Sequence, residues 1–292
     1  MNDLVTVIVP AFNAGKFIDQ CMRSLVDQTY QNLEILVLDD GSTDDTLAKL
    51  NSWSMRDGRV RIISRQNEGL IATLNELISE SNGRYIARMD ADDYCDIDRI
   101  RLQVLALNKG LALVGSNCLV IDEESRIVGF YKFERRHINI EVDGFFRVQF
   151  CHPAVMFDLS KIDRSDLCYD SKFRHAEDLE LWFRILRKYR CGNLAADLLY
   201  LRRGHATNVS TVHAGEQFEN TVTTIERHAG IKISKVDILN LRQRASVRKL
   251  LGSGLRVGCA LSQASIWRGF AFFRKLLLIA IVTSVRQLSK SG

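Results

Sequence analysis

Short apolar runs and amphipathic runs take turns along the first ninety residues. The run LVTVIV (4–9) is rich in β-branched residues, shows no alternation of apolar and polar positions, and stops at Pro10. That pattern predicts a strand buried on both faces, as in a parallel sheet. In GKFIDQCMRSLVDQ (15–28), Phe17, Ile18, Cys21, Leu25 and Val26 fall at helical spacing. LEILVL (33–38), VRIIS (60–64) and RYIARM (84–89) read as further strands, and GLIATLNELISE (69–80) as a helix. Ser42 to Asp45 reads as a helix start, because a serine followed three residues later by an acid can cap exposed amides. Strand and helix therefore alternate four times at spacings of ~25 residues. This predicts an α/β chain with a doubly wound, mainly parallel sheet and helices on both faces.

The pattern changes from residue 111. LALVGSNCLVID and RIVGFYKF read as a strand pair, 137–148 as helical, and CHPAVMF (151–157) as a strand. AEDLELWFRILRKY (176–189) is an amphipathic helix with acids in its first turn; NLAADLLYLRR (193–203) reads as a strand and 215–229 as helical. The expected organisation is one domain over 1–215, split into halves 1–110 and 111–215, with a basic helical extension over 216–292. Within 265–290 the uncharged run from Leu276 to Val285 has ten residues, well short of the ~20 that span a bilayer. Trp267, Phe270, Phe272 and Phe273 among basic residues suit a segment lying at the headgroup boundary. The alternative is a C-terminal helix packed on the domain.

Charge supports a split. After Asp237 the chain has ten basic residues and no acid, which against the overall +5 leaves −5 on residues 1–237. A basic tail on an acidic body implies an anionic partner for the tail. Its apolar content favours an anionic membrane surface over nucleic acid. The seven cysteines are scattered with no C-x-x-C pair, so neither a zinc site nor a disulfide framework is indicated. Reduced thiols and the absence of a secretory signal pattern around Asp3 fit a cytoplasmic protein.

The acids mark the chemistry. DDGSTDD (39–45) and DADD (90–93) both follow strands. In doubly wound sheets ligands bind beyond the carboxyl ends of the strands, so both clusters should open on one crevice. An Asp-x-Asp pair offers oxygen ligands to Mg²⁺ or Mn²⁺, with phosphates and water completing the shell. Asp39 and Asp40 could accept from a base N–H or a ribose hydroxyl. Glu177 and Asp178 open a helix, where a carboxylate can serve as general base. Each feature has a plainer reading, as a helix cap or a favourably placed acid. Asp96 and Asp98 belong to the start of the next helix, with Arg99 and Arg101 offsetting them.

Taken in order, the stretch from VTVIVPAFNAGKF to LVLDDGSTDDT, RQNEGLIATLNELISESNGRYIARMDADD, CHPAVMF and AEDLELW resemble the family-2 glycosyltransferases over roughly residues 4–210. The resemblance implies a GT-A fold and inverting transfer of one sugar from a nucleotide-diphospho-sugar, with a divalent metal as cofactor. Residues Pro10, Phe12 and Asn13 would line the nucleotide pocket. Asp40 would contact the base, with Asp39 beside it, and Asn67 and Arg88 would join the donor contacts. Asp92 and Asp90 would bind the metal, and Asp93 would lie near the sugar. Asp178 would be the catalytic base, with Glu177 next to it. Arg202, Arg203 or His205 would reach the diphosphate or the metal. Ile97 stands where family members often have proline. The Gln-x-x-Arg-Trp motif and spanning helices of the processive members are lacking, so single-sugar transfer is expected. The implied function is hexose transfer from a UDP-sugar to a saccharide acceptor, polyprenyl-diphosphate-linked, in bacterial surface polysaccharide synthesis at the inner membrane face. The alternatives are a sugar-nucleotide nucleotidyltransferase, which VPAFNAGKF disfavours for want of a glycine-rich loop, or an inactive sugar-nucleotide-binding protein.

Overall fold

In the computed structural model of the chain, residues 3–202, 214–243, 247–264, 268–269, 271–277 and 279 are described. Strands β1 (Val5–Ala11), β2 (Leu33–Asp39), β3 (Val60–Ser64) and β4 (Tyr85–Arg88) pair in parallel in the order β3-β2-β1-β4. All seven residues of β1 are buried, which is why its sequence shows no alternation. Val5, Val7 and Val9 face one core with Ile18, Cys21, Met22 and Leu25 of α1 (Ile18–Val26). Ile8 faces the opposite core with Leu74, Leu77 and Ile78 of α3 (Leu70–Glu80). Helices on both faces follow from that division.

The second half extends the same sheet with mixed pairing. Strand β8 (Met156–Asp158) runs antiparallel to β4 and to β6 (Leu113–Ile121). Strand β9 (Cys191–Arg202) runs parallel to β6, and the two-residue β5 (Tyr94–Cys95) pairs with β9. The expected pair of 111–122 with 126–133 is present as β6 and the antiparallel β7 (Ile127–Tyr131). Helices α4 (Arg99–Asn108), α5 (His137–Asp143) and α6 (Glu177–Lys188) complete this half.

Four local expectations change. The helix expected over 137–148 ends at Asp143. A Cβ on Gly144 would lie 2.4 Å from the Phe183 ring and 2.3 Å from Gln149 Nε2, so a glycine closes the helix against that contact. The strand expected over 151–157 starts at Met156, because His152–Ala154 form a 3₁₀ turn around Pro153, which has no N–H for a ladder. Helix α2 (Thr46–Arg56) is not capped by Ser42. Ser42 Oγ instead accepts from the Asn13 N–H, and Asp44 accepts from the Thr46 N–H. Arg101 does meet Asp98, but Arg99 does not offset the aspartates: its buried guanidinium donates to the Arg88 carbonyl and to Gln103.

The C-terminal segment packs on the body. Helices Ala214–Ala229, Lys235–Arg242 and Val247–Ala264 build a third core with Val142, Phe145, Phe146, Leu179 and Phe183. Phe272, expected at a lipid boundary, is 0% exposed and stacks on Phe146 at 5.0 Å. Phe273 is half-buried, while Trp267 and Phe270 lie outside the described residues. The tail's charge also finds partners within the chain. Lys275 meets Glu134 at 2.6 Å and Asp143 at 2.9 Å, Arg268 meets Glu141 at 2.6 Å, and Arg256 meets Asp237. Among the described residues, no helix is long and apolar enough to cross a membrane.

Candidate active site

The carboxyl ends of β1, β2 and β4 open, as their order requires, onto a cleft of about 2280 Å³. One side of it is built by loops that hold one another. After β1, Asn13 takes a positive φ of 49°. Its N–H donates to Ser42 Oγ at 2.9 Å, and its Oδ1 accepts the Thr43 N–H at 2.8 Å. The loop after β1 is thereby tied to the loop after β2. Pro10, Phe12, Asn13, Asp40, Asn67, Arg88, Asp90 and Asp92 all line the cleft.

The aspartate pair after β2 divides its work. The Asp40 carboxylate accepts the N–H groups of Glu68 and Gly69, each at 2.9 Å, and pairs with Arg65. Asn67 Nδ2 donates to the Asp40 carbonyl at 2.9 Å. Asp40 therefore fixes the loop after β3 at the cleft edge. Asp39 is buried behind the wall, accepting from Ser64 Oγ and the Ser42 N–H. Gly41 between these loops has φ 74°, and a Cβ there would sit 2.8 Å from the Asn67 nitrogen; only glycine fits both conditions.

Asp90, Asp92 and Asp93 each bring a carboxylate oxygen within 4.8 Å of the others. Three hard oxygen donors at that spacing suit Mg²⁺ or Mn²⁺. Protein cations offset part of the charge. Arg88, 2% exposed, pairs with Asp90 at 2.5 and 2.9 Å. Asp93 accepts the Arg202 backbone N–H at 2.6 Å.

Arg202, expected at the diphosphate or metal, does something else. It is 1% exposed. Its guanidinium donates to the carbonyls of Asp92, Asp122 and Glu123, to Gln20 Oε1 and to Ser125 Oγ. It also lies 4.4 Å from the Phe17 ring centroid. Strand β9 turns this side chain inward, so it clamps the loops that carry the aspartates from behind. Arg203 and His205 lie outside the described residues.

Glu177 and Asp178, which also line the cleft, head α6. The Asp178 carboxylate accepts the Leu179 N–H at 2.7 Å. Glu177 Oε2 is buried and has no hydrogen-bond partner among the described residues. Burial and the neighbouring Asp178 push the Glu177 carboxyl up to about 7. Burial raises Asp178 as well, opposed by the Leu179 N–H, Arg88 and Arg242. Such a pair titrates as a unit. Arg88 acts on the Asp90 cluster and on this pair alike, which couples the two sides electrostatically.

Two features escaped the sequence reading. His152, on the cleft wall, bonds Tyr169 Oη at 2.8 Å. Burial, then Arg88, drives its pKa well down, so it stays neutral. CHPAVMF carried that histidine, yet its short 3₁₀ turn gives no periodicity to point it at a cleft. The other is Arg242, which lines the cleft although it belongs to the basic tail. Carboxylates that could ligate a divalent cation and carboxylates that could accept a proton thus line one cleft.

The profile of Glycosyl transferase family 2 matches residues 6–160. A Haemophilus influenzae protein described as an uncharacterized glycosyltransferase is 31% identical over 246 residues, 80% of this chain and 76% of that one. The Pasteurella multocida hyaluronan synthase is 28% identical over 230 residues, but the chain spans only 23% of its length. Two solved structures share the fold at 16% identity. S. aureus TarS 1–349 in complex with UDP-GlcNAc matches with a TM-score of 0.66, over 98% of this chain and 92% of that one. The mannosyltransferase PcManGT from Pyrobaculum calidifontis, in complex with GDP-Man and Mn²⁺, gives 0.59, over 98% and 88%.

Proposed function

This chain belongs to glycosyltransferase family 2, and from that premise we propose that it moves one hexose from a UDP-sugar to a hydroxyl of a saccharide acceptor with inversion. The observation that carries the reading is the shared cleft, lined by Asp90 and Asp92 of the Asp90–Asp92–Asp93 cluster and by Glu177 and Asp178. Pro10 to Asn13, Asp40 and Asn67 form the nucleotide side. Asp178 takes the proton from the acceptor hydroxyl, whose oxygen attacks the anomeric carbon from the face opposite the nucleotide. Glu177 beside it keeps the pair's proton exchange near neutral pH. Arg88 balances charge between the two sides. Asp90, Asp92 and Asp93 would hold a divalent cation, Mn²⁺ or Mg²⁺, which neutralises the charge of a leaving diphosphate.

The acceptor in this reading is a saccharide on a polyprenyl diphosphate, in bacterial surface polysaccharide synthesis at the inner face of the membrane. The names of the synthase relatives support polysaccharide work. The exposed Val128 and Phe130, which share a face of β7, beside the exposed Lys132, Arg135 and Arg136, support a membrane-facing side. A panel of UDP- and GDP-sugars, assayed for nucleotide release with and without Mn²⁺, tests the donor and the metal together. Release is expected from one UDP-hexose, and Asp92→Ala should lower the Mn²⁺-dependent rate roughly 100-fold. Equal release in EDTA by both proteins would refute the metal site.

A further inference from the structure

The turn His152–Ala154 lies just before β8, beside the end of β4. The Arg88 N–H donates to the Val155 carbonyl at 3.0 Å, and Ala87 faces Met156 across the ladder. Because the two strands run antiparallel, the chain before Val155 lies toward Met89 and Asp90. Gln103 Nε2, buried on α4, donates to the Ala154 carbonyl at 2.7 Å and fixes the turn.

The His152 ring is held from two further sides. Its Nε2 bonds Tyr169 Oη at 2.8 Å. Tyr169 is itself locked by Asn75 of α3, which accepts the Tyr169 N–H at 2.8 Å and donates to its carbonyl at 3.0 Å. The Trp182 ring of α6 meets the imidazole edge-on at 5.7 Å. Trp182 lies four residues after Asp178, so the two share a face of α6, about one turn apart. His152 therefore stands between the strand end that carries Asp90 and the helix face that carries Asp178, and it lines the cleft with both.

Among the described residues, the imidazole's hydrogen bond is the one to Tyr169, which leaves Nδ1 for a ligand. Burial and Arg88 keep the ring neutral. A neutral imidazole cannot balance a diphosphate. It offers one directed hydrogen bond at Nδ1, as donor or acceptor according to the tautomer. A sugar hydroxyl is both donor and acceptor and fits either.

The geometry points to His152 as a specificity-determining contact: its Nδ1 hydrogen-bonds one hydroxyl of the hexose in transfer, and Tyr169 holds the ring in place for it. This rests on the reading of the cleft as a hexose-transfer site. A donor without that hydroxyl leaves the nitrogen unpaired, which slows transfer.

The test pairs changes in the protein with changes in the donor. Nucleotide release, with water as acceptor, is measured for the hexose donor selected from UDP- and GDP-sugars and for its monodeoxy analogues. The proteins are the unmodified full chain, His152→Ala and Tyr169→Phe. The unmodified chain should discriminate against one deoxy analogue by roughly 50-fold. His152→Ala should lose about that factor on the parent donor and almost nothing on that analogue, so that the two fall within about threefold of each other. The calorimetric Kd of the bare nucleoside diphosphate, which carries no sugar, should stay within about twofold. Tyr169→Phe should narrow the discrimination about tenfold, and it carries the test if His152→Ala fails to fold. Equal losses on the parent and every analogue in His152→Ala would overturn the inference, since they mark packing alone. So would discrimination in either variant within about twofold of the unmodified chain's, or an unmodified chain indifferent to every deoxy position. If no nucleotide-sugar releases its nucleotide, the hexose-transfer reading and this inference both fall. If a hexose donor is used and Asp178→Asn is dead while His152→Ala discriminates normally, only this inference falls.

Discussion

Glu177 and Asp178 carry the strongest residue-scale tension in the molecule. Two carboxylates share the first turn of one helix, where the helix dipole favours negative charge and burial opposes it. Opposition wins for Glu177, whose pKa rises to about 7 from an ordinary 4.5. A folded-state pKa above the unfolded one means that ionisation costs stability as pH climbs from about 4.5 to 7. Glu177→Gln should therefore raise the Tm measured above pH 7, by a stability gain on the order of 1–3 kcal/mol. The gain should vanish below pH 4.5, where the unmodified side chain is protonated in both states. Thermal unfolding across that range decides it, and an equal gain at pH 4 would argue against a charged pair. The sequence showed these two acids and the Asp-x-Asp cluster, because a strand's end and a helix's start are local patterns. It did not show that Arg202 points inward. A strand-end arginine looks the same whether it faces a ligand or five groups of its own chain.

At the scale of elements, the four strand–helix repeats were legible from periodicity alone, since β1, β2 and β4 are buried on both faces. Their capping was less so. Ser42 has the spacing of a cap but is recruited by Asn13, twenty-nine positions away, and such distant partners leave no trace in local spacing. Helix α6 shows how one element serves both site and scaffold. Its first turn carries the acids of the cleft. The same turn places the buried Glu180 between Arg184 and His228, pinning the helix Ala214–Ala229. Burial would push Glu180 up, yet the bonds from His228 and Arg184 outweigh it and hold the pKa at about 2. A depressed folded-state pKa gives stability that is full above pH 4.5 and lost as pH falls toward 2. Glu180→Gln should cost on the order of 2–3 kcal/mol at pH 7 and nothing near pH 2, read from urea unfolding at both pH values. An unchanged midpoint at pH 7 would show that the contact contributes nothing.

At the scale of the whole molecule, the charge asymmetry was correct as arithmetic and misleading as geography. Residues after Asp237 hold the positive excess, but Lys275, Arg268 and Arg256 meet Glu134, Glu141 and Asp237. Phe272 fills a core between Phe145 and Phe146. Composition reports totals and cannot tell an internal ion pair from a surface patch. If the chain meets a membrane, the exposed Val128 and Phe130 of β7 offer a better contact than the buried aromatics. The full chain should float with vesicles containing phosphatidylglycerol at low salt, and Val128→Ser with Phe130→Ser should weaken that. Flotation unaffected by the double substitution would discard β7 as the contact.

The central claim is that Asp178 takes the acceptor's proton in a cleft whose other wall binds the donor. It is tested most directly by nucleotide release from the selected donor with Asp178→Asn, beside a calorimetric donor Kd. The account predicts a rate lower by roughly a thousandfold and a Kd within about twofold of the unmodified chain. A rate within about tenfold of the unmodified chain at unchanged Kd would contradict it.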